Sequence, residues 1–326
     1  MMAMGSPAWA ALRSNQVAVI INEVDPQSVA VGDYYRKARK IPVENIIYVS
    51  FFGDDSAISP DDFTQLYKVI QANTTDRIRA YAITWTRPYR VGCSSITSAL
   101  TFGHRSDLCH QPEACLPTFQ SPLYETVESH QGDIQIRPSM MLAGVSEQAV
   151  FRLIDRGITA DGSNPRGKAF LVETPDPARS LRARRFARAF RNYQSSRITT
   201  THLRAPYLTS QDNLLFYFIG DSRVSYLGTN RFLPGAVADH LTSAGGMLTD
   251  SYQMSLLRWL EAGATASYGA VSEPCNMLEK FPNPVVLMHR IEAGESLISA
   301  YWSSVKMPGQ GVFVGEPLAA PYANRH

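Results

Sequence analysis

Apolar residues fall along this chain in short unbroken blocks. The segment QVAVIINEVD, residues 16–25, is apolar from Val17 to Ile21 and ends in turn formers. A run of that kind predicts a strand buried on both faces, as parallel sheets require. PQSVAVGDYYRKARKI follows with helical spacing, placing Val29, Tyr34, Ala38 and Ile41 on one face. ENIIYVSF predicts a second strand. SPDDFTQLYKVIQAN predicts a helix with Ser59 as N-cap, Pro60 in the first turn and acids beside it. RIRAYAITW predicts a third strand. Strand alternating with helix implies a parallel sheet with right-handed crossovers.

Residues 93–137 break this rhythm. Prolines, polar residues, Cys109, Cys115, His104, His110 and His130 gather there. A stretch of that composition predicts a lid, a binding loop or a connection. The alternation then resumes. SMMLAGV, GKAFLVET, NLLFYFIGD, ATASYGAV and GVFVGEPLA predict strands. SEQAVFRLIDRGITA, PARSLRARRFARAFRNY, PGAVADHLTSAG and QMSLLRWLEAG predict helices, the last closed by Gly263. NPVVLMHRIEAGESLISAYWSSV predicts a helix broken at Gly294. The fold class is therefore α/β, with parallel sheets and flanking helices. Its expected parts are an α/β unit over 14–92, a Cys/His-bearing connection over 93–137 and a second α/β unit over 138–326.

Composition narrows the function classes. The chain has 326 residues, 44% hydrophobic and 18% charged. That composition suits a packed core and excludes a disordered chain. A net charge of +2 does not by itself point to nucleic acid or a membrane surface. No apolar stretch approaches the roughly 20 residues of a membrane span. The start, MMAMGSPAWAAL, is small and apolar without a basic opening. It reads either as a weak export signal or as the trimmed remnant of one, which leaves a periplasmic or extracellular location and a cytoplasmic one both open.

GDYYRKARKIPVENII, RAYAITWTRPYRV, GATASYGAVSEP and VGEPLA together resemble the gingipain family of cysteine peptidases. FLPGAVADHLTSAGG, GATASYGAVSEPCN, KFPNP and GQGVFVGEPLA resemble more closely an uncharacterised bacterial family related to the gingipains. The resemblance implies a caspase-like α/β fold and hydrolysis of a peptide or protein substrate, with no cofactor. It also implies a catalytic His in a Gly-His-Gly turn and a catalytic Cys ending the next strand. Here Gly220-Asp221-Ser222 stands in the first place, and LTSAGGML in the second holds no cysteine.

The remaining candidates come from the residues themselves. Cys275 follows a predicted strand, where open α/β sheets place ligands at the carboxyl edge. A thiol nucleophile needs a base, and His240 is the candidate, with Glu273 orienting the imidazole or acting as acid. Backbone amides around Gly245 and Gly246 are the candidate oxyanion hole, with Asp221 and Ser243 as substrate contacts. Ser243 is also a candidate serine nucleophile, three residues beyond His240 and on one face with it if the segment is helical, or else a hydroxyl that satisfies a helix end. The alternatives stay open. Cys275 is a packed thiol, or is bridged to Cys93. Cys109 and Cys115 form a local disulfide, or hold zinc with His104 and His110. Asp221, Asp239 and Asp250 are a weak cation set. Asp221, His240 and Glu273 are the set for a metal-assisted enzyme. A binding protein that keeps the scaffold for a peptide or glycan is the non-catalytic reading. Arg179, Arg182, Arg184, Arg185, Arg188 and Arg191 are read as a solvated face in preference to a nucleic-acid surface.

Overall fold

A computed structural model of the protein describes residues 11–324, except 54, 110–114, 126–129, 132–133 and 250. The segment 1–10, His110 and Asp250 therefore lie outside the described residues, as do the side chains of Cys109 and His130.

The expected α/β fold is present as one mostly parallel sheet of ten strands. In chain order these are β1 (Val17–Asn22), β2 (Ile46–Val49), β3 (Ala80–Ile83), β4 (Ser139–Met141) and β5 (Gly167–Glu173). They continue as β6 (Ile198–Arg204), β7 (Leu214–Ile219), β8 (Phe232–His240), β9 (Ala266–Ala270) and β10 (Gly311–Gly315). Their order across the sheet is β6-β5-β7-β8-β9-β10-β4-β3-β1-β2. Strands from 14–92 and from 138–326 thus share a single sheet.

Strand direction reverses once in that order. β9 and β10 pair antiparallel, Ala266 opposite Gly315 and Ala270 opposite Gly311. Every other neighbouring pair is parallel. The half β6-β5-β7-β8-β9 and the half β10-β4-β3-β1-β2 therefore send their carboxyl ends to opposite edges of the sheet.

Helices cover both faces. α1 (Pro26–Arg39), α4 (Glu147–Ala160), α5 (Leu181–Arg191), α7 (Pro284–Glu292) and α8 (Leu297–Ser304) supply the apolar layer on one side, with Val17, Val19 and Ile21 of β1. α2 (Pro60–Ala72), α3 (Ile96–Phe102) and α6 (Leu257–Ala262) supply the other, with Ala18 and Ile20. Alternate residues of β1 enter opposite cores, which is why its run has no polar positions. Expected caps are in place. Ser59 and Ser146 accept backbone N–H groups at the starts of α2 and α4. Gly263 closes α6 at φ 117°, and Gly294 separates α7 from α8 at φ 98°, a left-handed region open to glycine at little cost.

Three expectations change. PGAVADHLTSAG is not a helix: Phe232–His240 is β8, its last six residues buried. Its Pro and Gly lie at the strand's start, before the run that packs both cores. Residues 93–137 are not only connection, because Ile96–Phe102 forms α3, capped by Ser95 and buried over six of its seven residues. ITTTHLR forms the edge strand β6, which its polar content concealed.

The arginine-rich stretch is not one solvated face either. Arg182 is 2% exposed and lies 2.5 Å from Asp239, itself 1% exposed. Its Nη2 also donates to the carbonyls of Ile219 and Asp239, at the ends of β7 and β8. Burial pushes the Asp239 carboxyl up, and the Arg182 charge pulls it back down. Arg184 and Arg204 flank Glu173. Removing one partner of a buried pair leaves the other charge uncompensated. Arg182→Met is expected to lower unfolding free energy by about 3–5 kcal/mol in urea titrations, and Arg182→Met with Asp239→Leu to recover most of that loss. A single-variant loss below about 1 kcal/mol would show that the pair does not hold these strand ends together.

Candidate functional site

The residues singled out from the sequence collect at the carboxyl edge of β7, β8 and β9. Gly220 follows β7, His240 ends β8, and Cys275 follows β9. The chemistry expected of them does not assemble. Cys275 is disulfide-bonded to Cys115, with Cα atoms 5.2 Å apart across 160 residues of sequence. Cys93 is disulfide-bonded as well. The Cys109–Cys115 and Cys93–Cys275 bridges are thereby replaced, and Cys275 presents no thiolate. The Glu273 carboxylate accepts the Cys275 backbone N–H at 2.8 Å, shaping the turn in which Cys275 and Asn276 adopt positive φ.

His240 is 1% exposed, and both ring nitrogens are engaged. Trp259 Nε1 donates to Nδ1 at 2.9 Å, and Nε2 lies 3.0 Å from the Met254 carbonyl. An indole N–H only donates and a carbonyl only accepts, so the ring is the neutral Nε2–H tautomer. Burial holds its pKa down to about 4. Such an imidazole has no lone pair free for a thiol, a serine or a metal. Ser243 does not share a helical face with it, because the segment ends a strand.

Gly245 and Gly246 are glycines for packing. A Cβ on Gly246 would sit 2.3 Å from the Gly269 carbonyl oxygen, and one on Gly269 would sit 2.5 Å from the Gly245 backbone. The Gly246 N–H is taken by the Ala270 carbonyl, so it is not an oxyanion donor. Asp221 accepts the Arg223 backbone N–H at 3.2 Å. No group of three His, Cys, Asp or Glu side chains suited to a metal occurs among the described residues. The set Asp221–His240–Glu273 is not assembled among them, and of the set Cys109–Cys115–His104–His110 part lies outside the described residues while Cys115 is bridged to Cys275.

The opposite edge supplies one wall of a cavity of about 1050 Å³. It opens beyond the carboxyl ends of β1, β2, β3 and β4, where Asn22, Phe51–Gly53, Thr86–Arg87 and Gly144–Val145 line it. Its far wall is Arg223, Val224, the stretch around Gln253–Ser255, and α6. Sequence reasoning passed over this place because no motif marks it. The one available signal was that four strand ends of one direction must converge on a common edge.

The near wall is rigid. The Asn22 side chain donates to the Phe51 carbonyl and accepts from the Phe51 N–H. The Thr86 hydroxyl donates to the Gly144 carbonyl and accepts from the Gly144 N–H. The far wall hangs on His240, whose two partners are the Met254 carbonyl and Trp259 of α6. Gln253 is fixed by Thr242 and the Ala244 N–H, each 2.7 Å from its Oε1. His240 is thus a positioning residue behind the cavity wall. Beyond the polar lining, the rim carries apolar side chains in water. Phe52 is 93% exposed, Val24 47% and Val145 53%. Tyr252, between lining residues Ser251 and Gln253, is 77% exposed.

Comparison with protein-family models, with curated proteins and with solved structures finds no match.

Two measurements check this geometry. The His240 pKa is about 4 folded against roughly 6.5 unfolded. Between those values the unfolded chain binds the extra proton, so stability is full above pH 6.5 and falls as pH drops toward 4. Urea titrations at pH 7 and pH 4 are expected to show His240→Gln losing less than the native chain by about 3 kcal/mol. Equal losses would mean that the ring is not buried neutral. Second, non-reducing digestion and mass spectrometry are expected to recover a Cys115–Cys275 linked peptide, with Cys275→Ser destabilised by about 2–5 kcal/mol. A Cys109–Cys115 peptide would contradict the fold of this corner.

Proposed function

We propose that this chain is a non-catalytic carbohydrate-binding protein on a caspase-like scaffold, with the 1050 Å³ cavity as its site. The scaffold assignment rests on the resemblance of GATASYGAVSEP and VGEPLA to the gingipain family. The loss of chemistry rests on the bridged Cys275 and the doubly bonded His240.

One observation carries the ligand class: an exposed ring, Phe52, stands at a polar cavity that offers no open strand edge. Ligand sites combine apolar contact surface with a few placed polar groups, and exposed apolar patches rimmed by polar residues mark interaction sites. A sugar presents both an apolar C–H face, which packs on an aromatic ring, and hydroxyls in fixed directions. An extended peptide is recognised chiefly by adding a strand. At the cavity, β1, β3 and β4 are each paired on both sides, and β2 contributes only the residues beyond its end. That mode is closed there. The disulfides favour an oxidising compartment, which we take to be outside the cytosol. No described helix is long and apolar enough to cross a membrane.

A glycan array followed by calorimetry tests the reading. Binding of an oligosaccharide is expected, weakened about tenfold in Phe52→Ala, since an aromatic contact contributes about 0.5–1.5 kcal/mol beyond its buried area. Binding unchanged in Phe52→Ala and in variants of the other rim residues would remove the cavity from the account.

A further inference from the structure

We propose that the sugar chain this cavity takes is acidic, of the uronate type, and that Arg87 and Arg223 read its carboxylates. The inference rests on the carbohydrate reading and narrows it. Five charged side chains line the cavity: Asp25, Arg87, Arg223, Arg258 and Glu261. Three are already answered within the protein. Arg258 Nη1 donates to Glu261 Oε2 at 2.7 Å. Asp25 caps α1, its Oδ1 accepting the Gln27 N–H at 2.9 Å. That carboxylate also meets the positive end of the helix, so the α1 terminus is not left to hold a ligand anion.

Arg87 and Arg223 remain. Both are exposed, and neither stands in an ion pair with any described residue. They project from opposite walls, Arg87 beyond β3 and Arg223 beyond β7. Their backbones are held in place. The Arg87 carbonyl packs against Gly53, where an added Cβ would come within 2.8 Å of it. Trp85, two residues earlier, donates to the Pro88 carbonyl at 3.1 Å and stacks edge-on with Phe51 at 5.0 Å. The Arg223 N–H is tied to Asp221, and the next residue, Val224, is buried. Two guanidinium forks on fixed stems, with aromatic surface at the rim, suit a chain that repeats carboxylates along a ring-bearing backbone. The planar fork takes a carboxylate through two parallel hydrogen bonds.

The test compares β-1,4-tetramannuronate with β-1,4-mannotetraose, which differ only in the carboxylate at C6, and with tetraglutamate as an acidic peptide. Calorimetry at low and moderate salt is expected to show tetramannuronate binding at least about tenfold tighter than mannotetraose. Its affinity is expected to fall as salt rises, and to drop about tenfold in each of Arg87→Gln and Arg223→Gln. Both side chains are exposed, so these variants keep the fold, checked by an unchanged thermal midpoint. Equal binding of the two tetrasaccharides would overturn the acidic specificity while leaving the carbohydrate reading intact. Tetraglutamate binding as well as tetramannuronate would overturn it in favour of charge alone. Binding of neither sugar would remove both.

Discussion

The antiparallel pairing of β9 with β10 decides where everything else in this molecule can be. In a sheet of one direction, all carboxyl ends and the loops that follow them share an edge. Here the reversal between Ala266–Ala270 and Gly311–Gly315 divides them. One edge collects Gly220, His240 and the Glu273-Pro274-Cys275 corner. The other collects the loops after β1, β2, β3 and β4. The corner bearing Cys275 is closed by packing and a disulfide, while the loops of the second edge face residues that follow β7 and β8 across a cavity.

The first edge serves the cavity. At the ends of β7 and β8, Arg182 and Asp239 form a buried pair. The next residue, His240, reaches Met254, which lines the cavity, and Trp259 of α6. A residue type suited to proton transfer is used here as a neutral two-ended tether. Desolvation makes that role stable, since the same burial that holds its pKa down to about 4 keeps the ring uncharged where a charge would be costly. The loop after β8 crosses β9 backbone against backbone, and a Cβ on Gly246 or on Gly269 would meet the facing chain at 2.3–2.5 Å.

Much of the scaffold was legible in the sequence because burial on both faces leaves a plain mark. The runs in β1, β3, β7 and β9 show no alternation, and Ser59, Ser146, Gly263 and Gly294 marked helix limits by their own conformational chemistry. β8 was misread because its Pro and Gly sit at the start of a buried strand, where they look like a helix opening. β6 was missed because an edge strand rich in threonine carries little apolar signal. The site was harder to read for a physical reason. Cys275 and His240 have the composition of a dyad, but their roles depend on contacts over long sequence distances: Cys115 lies 160 residues away, and Trp259 lies 19 residues from His240. The cavity has no motif at all, being built from the tips of loops that only the sheet order brings together.

The central claim is that ligand recognition belongs to the cavity lined by Asn22, Phe52, Arg87 and Arg223, and not to the corner bearing Cys275. Amide hydrogen exchange with and without saturating β-1,4-tetramannuronate addresses it directly. The account predicts slowed exchange in the loops around 22–28, 50–53, 86–90, 223–228 and 251–258, with 272–277 unchanged. Protection confined to 272–277 and the turn around 220–222, with the cavity loops unaffected, would contradict it.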